Sequence, residues 1–323
     1  MVYFTVVAVC LLQYFSLILH IKKMNVDKIH TSKCPVCNAE IFEKLFDCTD
    51  FLVSNEHFSL FKCAACGFVF TQDFPAENVI DKYYNVAEYV SHSDTKRGIV
   101  NFLYHFARKI ALRSKVKMVQ KYVAIKKGTL LDIGAGTGYF LNAMTKAQWT
   151  VCGIEKSATA RNFAKQKFGL TLFENDKLEN FADSSEDVIT LWHVLEHIEN
   201  LNITFETIYR ILQKDGVLIV ALPNRNSADA RHYRKWWAAY DVPRHLWHFS
   251  SQVFTKFAEN HNFKIIKIKA MFFDPVYISM LSEKNKSTFA AAVFGLIKGT
   301  FFTIKSVFNK KNCSSLIYIL KKN

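Results

Sequence analysis

The chain has 323 residues and a net charge of +14, and half of its residues are hydrophobic. That length and apolar content suit one α/β domain of ordinary size plus a smaller unit, and exclude a chain too polar to bury a core. Its eight cysteines are too few and too unevenly placed for a disulfide framework, and no internal repeat or low-complexity segment is visible.

The positive charge is concentrated. Residues 95–127 carry ten Lys or Arg and no Asp or Glu, and residues 274–323 carry eight Lys against Asp274 and Glu283. Two basic surfaces imply an acidic partner, whether a nucleotide-linked sugar, a phospholipid head group or nucleic acid; solvated helix faces are the plain alternative.

Residues 1–21 form an uncharged apolar run followed by Lys22-Lys23. The run is just long enough to span a bilayer, and lacks the basic leader and small-residue cleavage site of a secretory signal. Three readings stand: an anchor whose lysines keep the remainder in the cytoplasm, a stretch upstream of a true start at Met24, or a buried helix. The expected location is cytoplasmic, with membrane association through 1–21 under the first reading.

In 31–70, Cys34-Pro35-Val36-Cys37 is answered by Cys63-Ala64-Ala65-Cys66. Each C-x-x-C makes a tight knuckle, and four thiolates in tetrahedral array are a closed structural zinc site, so a zinc ribbon is expected with Cys34, Cys37, Cys63 and Cys66 as ligands. Residues 75–127 read as a helical, aromatic and basic linker that lies over the pocket of the following domain.

From Gly128 an α/β alternation runs to the end of the chain. Strands are expected at 129–133, 150–155, 170–174, 187–192, 217–222, 263–270 and 315–320. Helices are expected at 138–147, 157–168, 199–212 and 250–261. Residues 274–312 read as a helical insertion between the last two strands, with Phe289, Val293, Phe294, Leu296 and Ile297 on its apolar side.

The most informative stretch follows the first of these strands: Asp132-Ile133-Gly134-Ala135-Gly136-Thr137-Gly138. Glycines at alternate positions let the chain turn tightly and a ligand approach. A dinucleotide site would read G-x-G-x-x-G and face a pyrophosphate. A carboxylate before the first glycine repels a pyrophosphate and accepts hydrogen bonds from the ammonium of an amino acid. Glu155, ending the next strand, suits a ribose diol. Asn175 or Asp176 suits an adenine amino group, and Trp192 lies in the same crevice at the carboxyl ends of the strands.

His193-Val194-Leu195-Glu196-His197 matches the inverted zinc-protease motif H-x-x-E-H. The position after strand four of a nucleotide-type sheet, with no third ligand evident, argues against that reading. The segment 236–249 gathers Trp236, Trp237, Tyr240, Arg244, His245, Trp247 and His248. Trp237 and Tyr240 are candidates to wall a substrate pocket, Arg244 to clamp a carboxylate or phosphate, and His193, His245 or His248 to act as general base.

The acid–glycine loop resembles motif I of class I S-adenosylmethionine (SAM) methyltransferases. The stretches Leu191 to Ile198, Leu212 to Val217, Leu222-Pro223-Asn224 and Asp241 to Ser250 resemble the group that includes the ubiquinone-pathway O-methyltransferases. The likeness covers about 130–323, and the zinc unit is similar to that of some sugar-modifying methyltransferases. The resemblance implies an α/β, seven-stranded Rossmann-like sheet with strand seven antiparallel and lying beside strand six, and SAM as cofactor held by Asp132, Gly134, Gly136, Gly138 and Glu155. It also implies methyl transfer to oxygen or carbon of an acidic small-molecule, sugar or lipid-linked acceptor. In the quinone enzymes an acid precedes the Leu-Glu-His run and helps hold a divalent metal; here that position is His193. An RNA methyltransferase, a non-catalytic SAM-binding protein, and a membrane-surface enzyme attached through 1–21 and 287–309 are the alternatives.

Overall fold

The computed structural model describes residues 28–84, 99–123 and 125–323. The apolar run 1–21 and the aromatic stretch around Tyr89 lie outside the described residues.

The amino-terminal part is a small antiparallel β-unit. β1 (Lys28–Ile29) is followed by β2 (Phe42–Thr49), β3 (His57–Cys63), β4 (Val69–Thr71) and β5 (Phe74–Pro75). β2, β3 and β4 pair in sequence order, and β1 pairs with β5. The two knuckles are built alike. Asn38 and Gly67, each directly after the second cysteine of its pair, take φ of 61° and 75°. Their amides donate back to the carbonyls of Cys34 and Cys63 at 2.8 and 2.9 Å. Asparagine and glycine are the residues that tolerate this left-handed conformation.

Among the described residues, helix α1 (Ile99–Tyr122) leads to the large sheet. Then come β6 (Thr129–Ile133), α2 (Tyr139–Lys146), β7 (Thr150–Ile154), α3 (Ala158–Phe168), β8 (Glu186–Trp192), α4 (Leu201–Ile211) and β9 (Leu212–Pro223). A short α5 (Ala228–Tyr233), β10 (Trp247–His248), α6 (Ser251–Asn260), β11 (Phe263–Ala270), α7 (Asp274–Asn285), α8 (Ala291–Phe308) and β12 (Ser315–Lys322) complete the chain. The sheet runs β11-β12-β9-β8-β6-β7. The four strands β7, β6, β8 and β9 are parallel, and β12 is antiparallel to both of its neighbours. Val188 to Leu191 and Val217 to Leu222 are buried throughout, the pattern of strands covered on both faces.

Two expectations need adjustment and one holds. The short strand expected at 170–174 is reduced to one parallel bridge between Ile154 and Phe173, so the sheet has six strands among the described residues. The antiparallel last strand lies beside strand six as expected: β12 sits between β9 and β11, which leaves β11 at the edge. The insertion 274–312 is a two-helix hairpin, α7 and α8, and most of the large apolar side chains of α8, Val293, Phe294, Leu296 and Ile297 among them, face outward.

The two parts share a sheet. β10, from the segment after β9, adds to β4 with Trp247 opposite Phe70 and His248 opposite Val69. Phe68, Phe70 and Phe74 pack with Trp247 and Phe249 in the same core as Leu131, Ile189, Leu218 and Leu222 of the large sheet.

Candidate functional site

The crevice forms where β6, β7 and β8 end. After β6 the chain turns through Gly134, Gly136 and Gly138, with φ of 71°, 54° and 77°. A side chain at Gly134 would lie 2.3 Å from Val194, so that position is closed by packing as well as by conformation; at Gly136 no atom stands within 4 Å, which leaves its face open to a ligand. Glu155, at the end of β7, pins the bend: its carboxylate accepts from the Gly136 amide at 2.7 Å and the Ser157 amide at 2.8 Å. Lone pairs on both oxygens remain for other donors.

Asp132 is 2% exposed and accepts the Thr190 hydroxyl at 2.5 Å. Burial pushes its pKa up to about 7, against the pull of Thr190 and of Lys115. Lys115, from α1, reaches into the crevice with its ammonium 4.1 Å from the centroid of the Trp192 ring. Burial lowers its pKa to about 8, while Asp132 and Asp274 act to raise it. Trp192 packs edge-on against Phe140, and its indole nitrogen is buried without a partner. Asp176 is exposed in the 3-10 turn Asn175–Asn180, which follows the Phe173 bridge.

His193 follows β8 in a left-handed conformation, φ 59°. Its Nδ1 lies 3.4 Å from Glu196 and its Nε2 3.6 Å from Asp274 at the start of α7, and its side chain is 34% exposed, leaving the ring accessible from the crevice. Burial lowers its pKa, but the facing Glu196 and Asp274 more than offset this and the net direction is upward. Glu196 is wholly buried, with neither oxygen in a hydrogen bond. Burial would raise its pKa; His193, His245 and His197 reverse the direction. His197 is held low, to about 4, first by burial and then by His245. Its Nδ1 lies 2.9 Å from the Arg244 carbonyl and 3.1 Å from the Tyr84 hydroxyl.

Glu196, His197 and His245 bring three ligand-type atoms within 4.8 Å of one another. His245 is thus a third such side chain that spacing along the chain concealed. The motif is nevertheless not a helical H-x-x-E-H, because His193 follows the end of a strand and Leu195–His197 is one 3-10 turn.

Four residues of the 236–249 segment are occupied elsewhere. Arg244 is no substrate clamp: it is 1% exposed and every guanidinium nitrogen is engaged, Nε with Asp241, Nη1 with the Tyr83 carbonyl at 2.8 Å, and Nη2 with Asp50 and Asp241 at 2.8 and 2.6 Å. Trp237 is 2% exposed and donates its indole N–H to the buried Asp229 at 2.7 Å. Tyr240 packs edge-on between Trp237 and His248 in the same buried cluster. His248 lies in β10 with Nε2 3.0 Å from the Thr71 hydroxyl, and burial holds its pKa well below the usual value, so it is not exposed as a base. His245 sits beside the crevice with Nδ1 2.9 Å from the Ala239 carbonyl.

The four knuckle cysteines converge. Their sulfurs all lie within 4.8 Å of one another, with Cys34–Cys66 at 3.6 Å and Cys37–Cys63 at 3.5 Å. A tetrahedral zinc with Zn–S of about 2.3 Å requires sulfur separations of about 3.8 Å, so the donor set and its spacing suit that ion.

Sequence reasoning missed Lys115, Asp274 and Thr190. Lys115 is one of ten cations in 95–127 and nothing local distinguishes it. Thr190 is hidden in an apolar strand. Asp274 carried a weak signal, an acid directly before Pro275 at a helix start.

A family model described as a methyltransferase domain matches residues 104–268. The ubiquinone biosynthesis O-methyltransferase of Haemophilus ducreyi is 32% identical over 107 residues, 30% of this chain and 45% of that protein. An uncharacterized methyltransferase of Bacillus cytotoxicus is 32% identical over 98 residues, 29% of this chain and 46% of that protein. The chain thus spans about half the length of the curated relatives it matches. Among solved structures, a cyclopropane synthase from Mycobacterium tuberculosis superposes with a TM-score of 0.45 at 15% identity, covering 65% of this chain and 84% of that one.

Proposed function

From the premise that this chain belongs to the methyltransferase-domain family, with the Rossmann-like sheet of class I SAM-dependent enzymes, we propose that it transfers a methyl group from SAM to a hydroxyl of a small or lipid-linked acceptor. One observation carries the reading: an accessible imidazole, His193, stands between two carboxylates one strand away from the acid–glycine bend.

In this reading Asp132 faces the amino-acid part of SAM, Glu155 its ribose, and the open face at Gly136 admits the rest. Trp192 walls the crevice, and its electron-rich ring suits a cation. When bound, SAM supplies a methyl group already activated on a sulfonium. The residues of the chain then align the acceptor, exclude water and take one proton. His193 is the base, abstracting the acceptor's proton at Nε2, on the Asp274 side of the ring; Glu196, facing Nδ1, stabilises the imidazolium that results. The knuckle cysteines hold structural zinc, which stiffens residues 31–70. Helix α1, which carries Lys115 to Trp192, caps the crevice of a catalytic domain at 128–323.

The test separates binding from transfer. Calorimetry of the full chain with S-adenosylhomocysteine should give binding that Asp132→Ala and Glu155→Ala each weaken by about ten-fold or more. A screen of cell extract with methyl-labelled SAM should yield a labelled product that His193→Asn abolishes without loss of that binding. Unchanged affinity in both acid variants would overturn the site.

A further inference from the structure

We propose that the α7–α8 hairpin seats the protein on an anionic lipid surface, with α8 lying in the interface. The argument starts from an inverted pattern. The residues of α8 that turn toward the protein are Gly295, Gly299, Phe302 and Ser306, three of them small. Side chains at Gly295 and Gly299 would come within 2.4 Å of the Cα atoms of Met280 and Val276, so α7 and α8 touch backbone to backbone. Small residues four apart at a close helix crossing are the packing used where large apolar side chains are not needed inside.

The large side chains lie on the other side. Val293, Phe294, Ile297, Phe301, Ile304 and Phe308 are between 45% and 87% exposed. At 3.6 residues per turn these six fall in a stripe roughly 100° wide, opposite the glycine seam. A helix of a water-facing domain turns such a stripe toward the core. Lys305 lies along one edge of the stripe, where its stem can run beside apolar surface and its ammonium reach outward; Lys298, on the same edge, turns to Glu283 of α7.

The charge selects the occupant. Residues 284–323 contain eight Lys and no Asp or Glu. A second copy docked on this face would bring two such arrays together, whereas an anionic leaflet attracts each lysine. The helix is apolar enough to cross a membrane, with mean hydropathy 1.4 over its 18 residues. It is held at the surface instead by its partner: Glu283 of α7 receives Lys298 at 2.7 Å, and the same helix carries Asp274 and Lys284. An apolar stripe edged with lysine and lying in the plane of the head groups is the arrangement of an interfacial helix. The hairpin also begins at Asp274, which faces His193, so the lipid-facing element and the crevice are contiguous.

The experiment uses the full chain with vesicles of phosphatidylcholine alone or mixed with phosphatidylglycerol, each carrying a trace of lipid with a photoactivatable diazirine in its acyl chain. Cross-linked peptides are mapped by mass spectrometry. Label is expected within 289–308, at least about five-fold higher on the anionic vesicles. The double variant Ile297→Asp, Ile304→Asp should lower that label by about ten-fold or more with its unfolding temperature unchanged. No label within 289–308 while other segments are labelled overturns the proposal. Equal label on uncharged vesicles overturns it in its anionic form. A concentration-dependent dimer that leaves 289–308 unlabelled assigns the face to a second copy.

Discussion

The Nδ1 of His193 lies 3.4 Å from the buried carboxylate of Glu196, and His193 holds a left-handed backbone to reach it. The pair has a direct consequence for pH. Burial lowers the His193 pKa, but Glu196 and Asp274 more than offset it, so the ring titrates above its ordinary 6.5. A base must be neutral to accept a proton, so kcat/KM should rise with pH through that elevated pKa. Glu196→Gln removes the largest opposing influence and should move the rising limb toward acid. His193→Asn should lower kcat by about 10²- to 10⁴-fold with little change in donor affinity. A pH profile of the labelled-methyl assay reads both; an acid limb unmoved by Glu196→Gln would break the pairing.

Asp132 should trade stability for binding. Its pKa is raised from 3.8 to about 7, chiefly by burial. The folded protein therefore keeps this proton longer than the unfolded chain. Its contribution to stability is full below about pH 4 and falls as pH rises to about 7, each unit being worth about 1.4 kcal/mol. Asp132→Asn removes an ionised group from the interior. Above pH 7 the ligand-free variant should be more stable, by on the order of 1–3 kcal/mol once the lost attraction to Lys115 is allowed for, while binding S-adenosylhomocysteine more weakly. Thermal unfolding at pH 5 and pH 8, with and without ligand, separates the two effects.

Lys115 places a cation of the protein beside the carboxylate read as the partner of a cationic ligand. Its pKa is about 8, held down by burial. Below pH 8 it repels a sulfonium; above, it does so less. Affinity for SAM should therefore improve as pH rises through 8. Lys115→Met keeps the packing on Trp192 and removes the charge. SAM affinity should then rise by about three- to ten-fold, more than affinity for S-adenosylhomocysteine, which lacks the sulfonium charge. Equal gains for the two ligands would exclude the electrostatic cause.

Much of this was legible in the sequence, for identifiable reasons. Buried parallel strands write unbroken apolar runs, so β6, β8 and β9 could be read off, and the glycines after β6 stand where the backbone must be left-handed. The knuckles were readable because Cys-x-x-Cys leaves little conformational choice. What could not be read depends on distant partners. Arg244 looks like a substrate clamp in its local setting, and only Asp50, almost two hundred residues earlier, reveals it as an interior cross-link. His248 looks like a base until β10 pairs with β4 and sets it on Thr71. Strand three failed for a different reason: Leu170 to Glu174 has the composition of a strand, yet pairs with β7 at one position alone.

Arg244 should act through stability rather than through substrate affinity. Its guanidinium ties Asp50 of the β2–β3 turn to Asp241, and both carboxylates are held below their ordinary pKa, against burial, with Arg244 the main opposing influence. Arg244→Met leaves two acids without their counter-charge, at a cost of about 3–5 kcal/mol. The expected signature is a lower unfolding midpoint, with KM for the acceptor unchanged in protein that remains folded. A raised KM at unchanged stability would restore the clamp.

The cysteine cluster should couple to the crevice despite lying outside it. Loss of one ligand opens a tetrahedral site, so Cys37→Ser should release zinc, read as metal content by mass spectrometry. The effect should not stop at residues 31–70. β4 runs from the second knuckle and pairs with β10, which follows His245 and carries the Trp247 indole, the latter donating to the Ile198 carbonyl at 2.6 Å. The Leu246 amide donates to the Glu196 carbonyl at 2.8 Å in the same strip. Disorder in the knuckles therefore loosens the turn that carries Glu196 and His197. Hydrogen exchange of Cys37→Ser should show faster exchange at 193–198 and 245–249 as well as at 34–71, while β6 and β7, on the far side of the sheet, keep their protection. Exchange confined to 34–71 would show that the two β-layers are energetically independent.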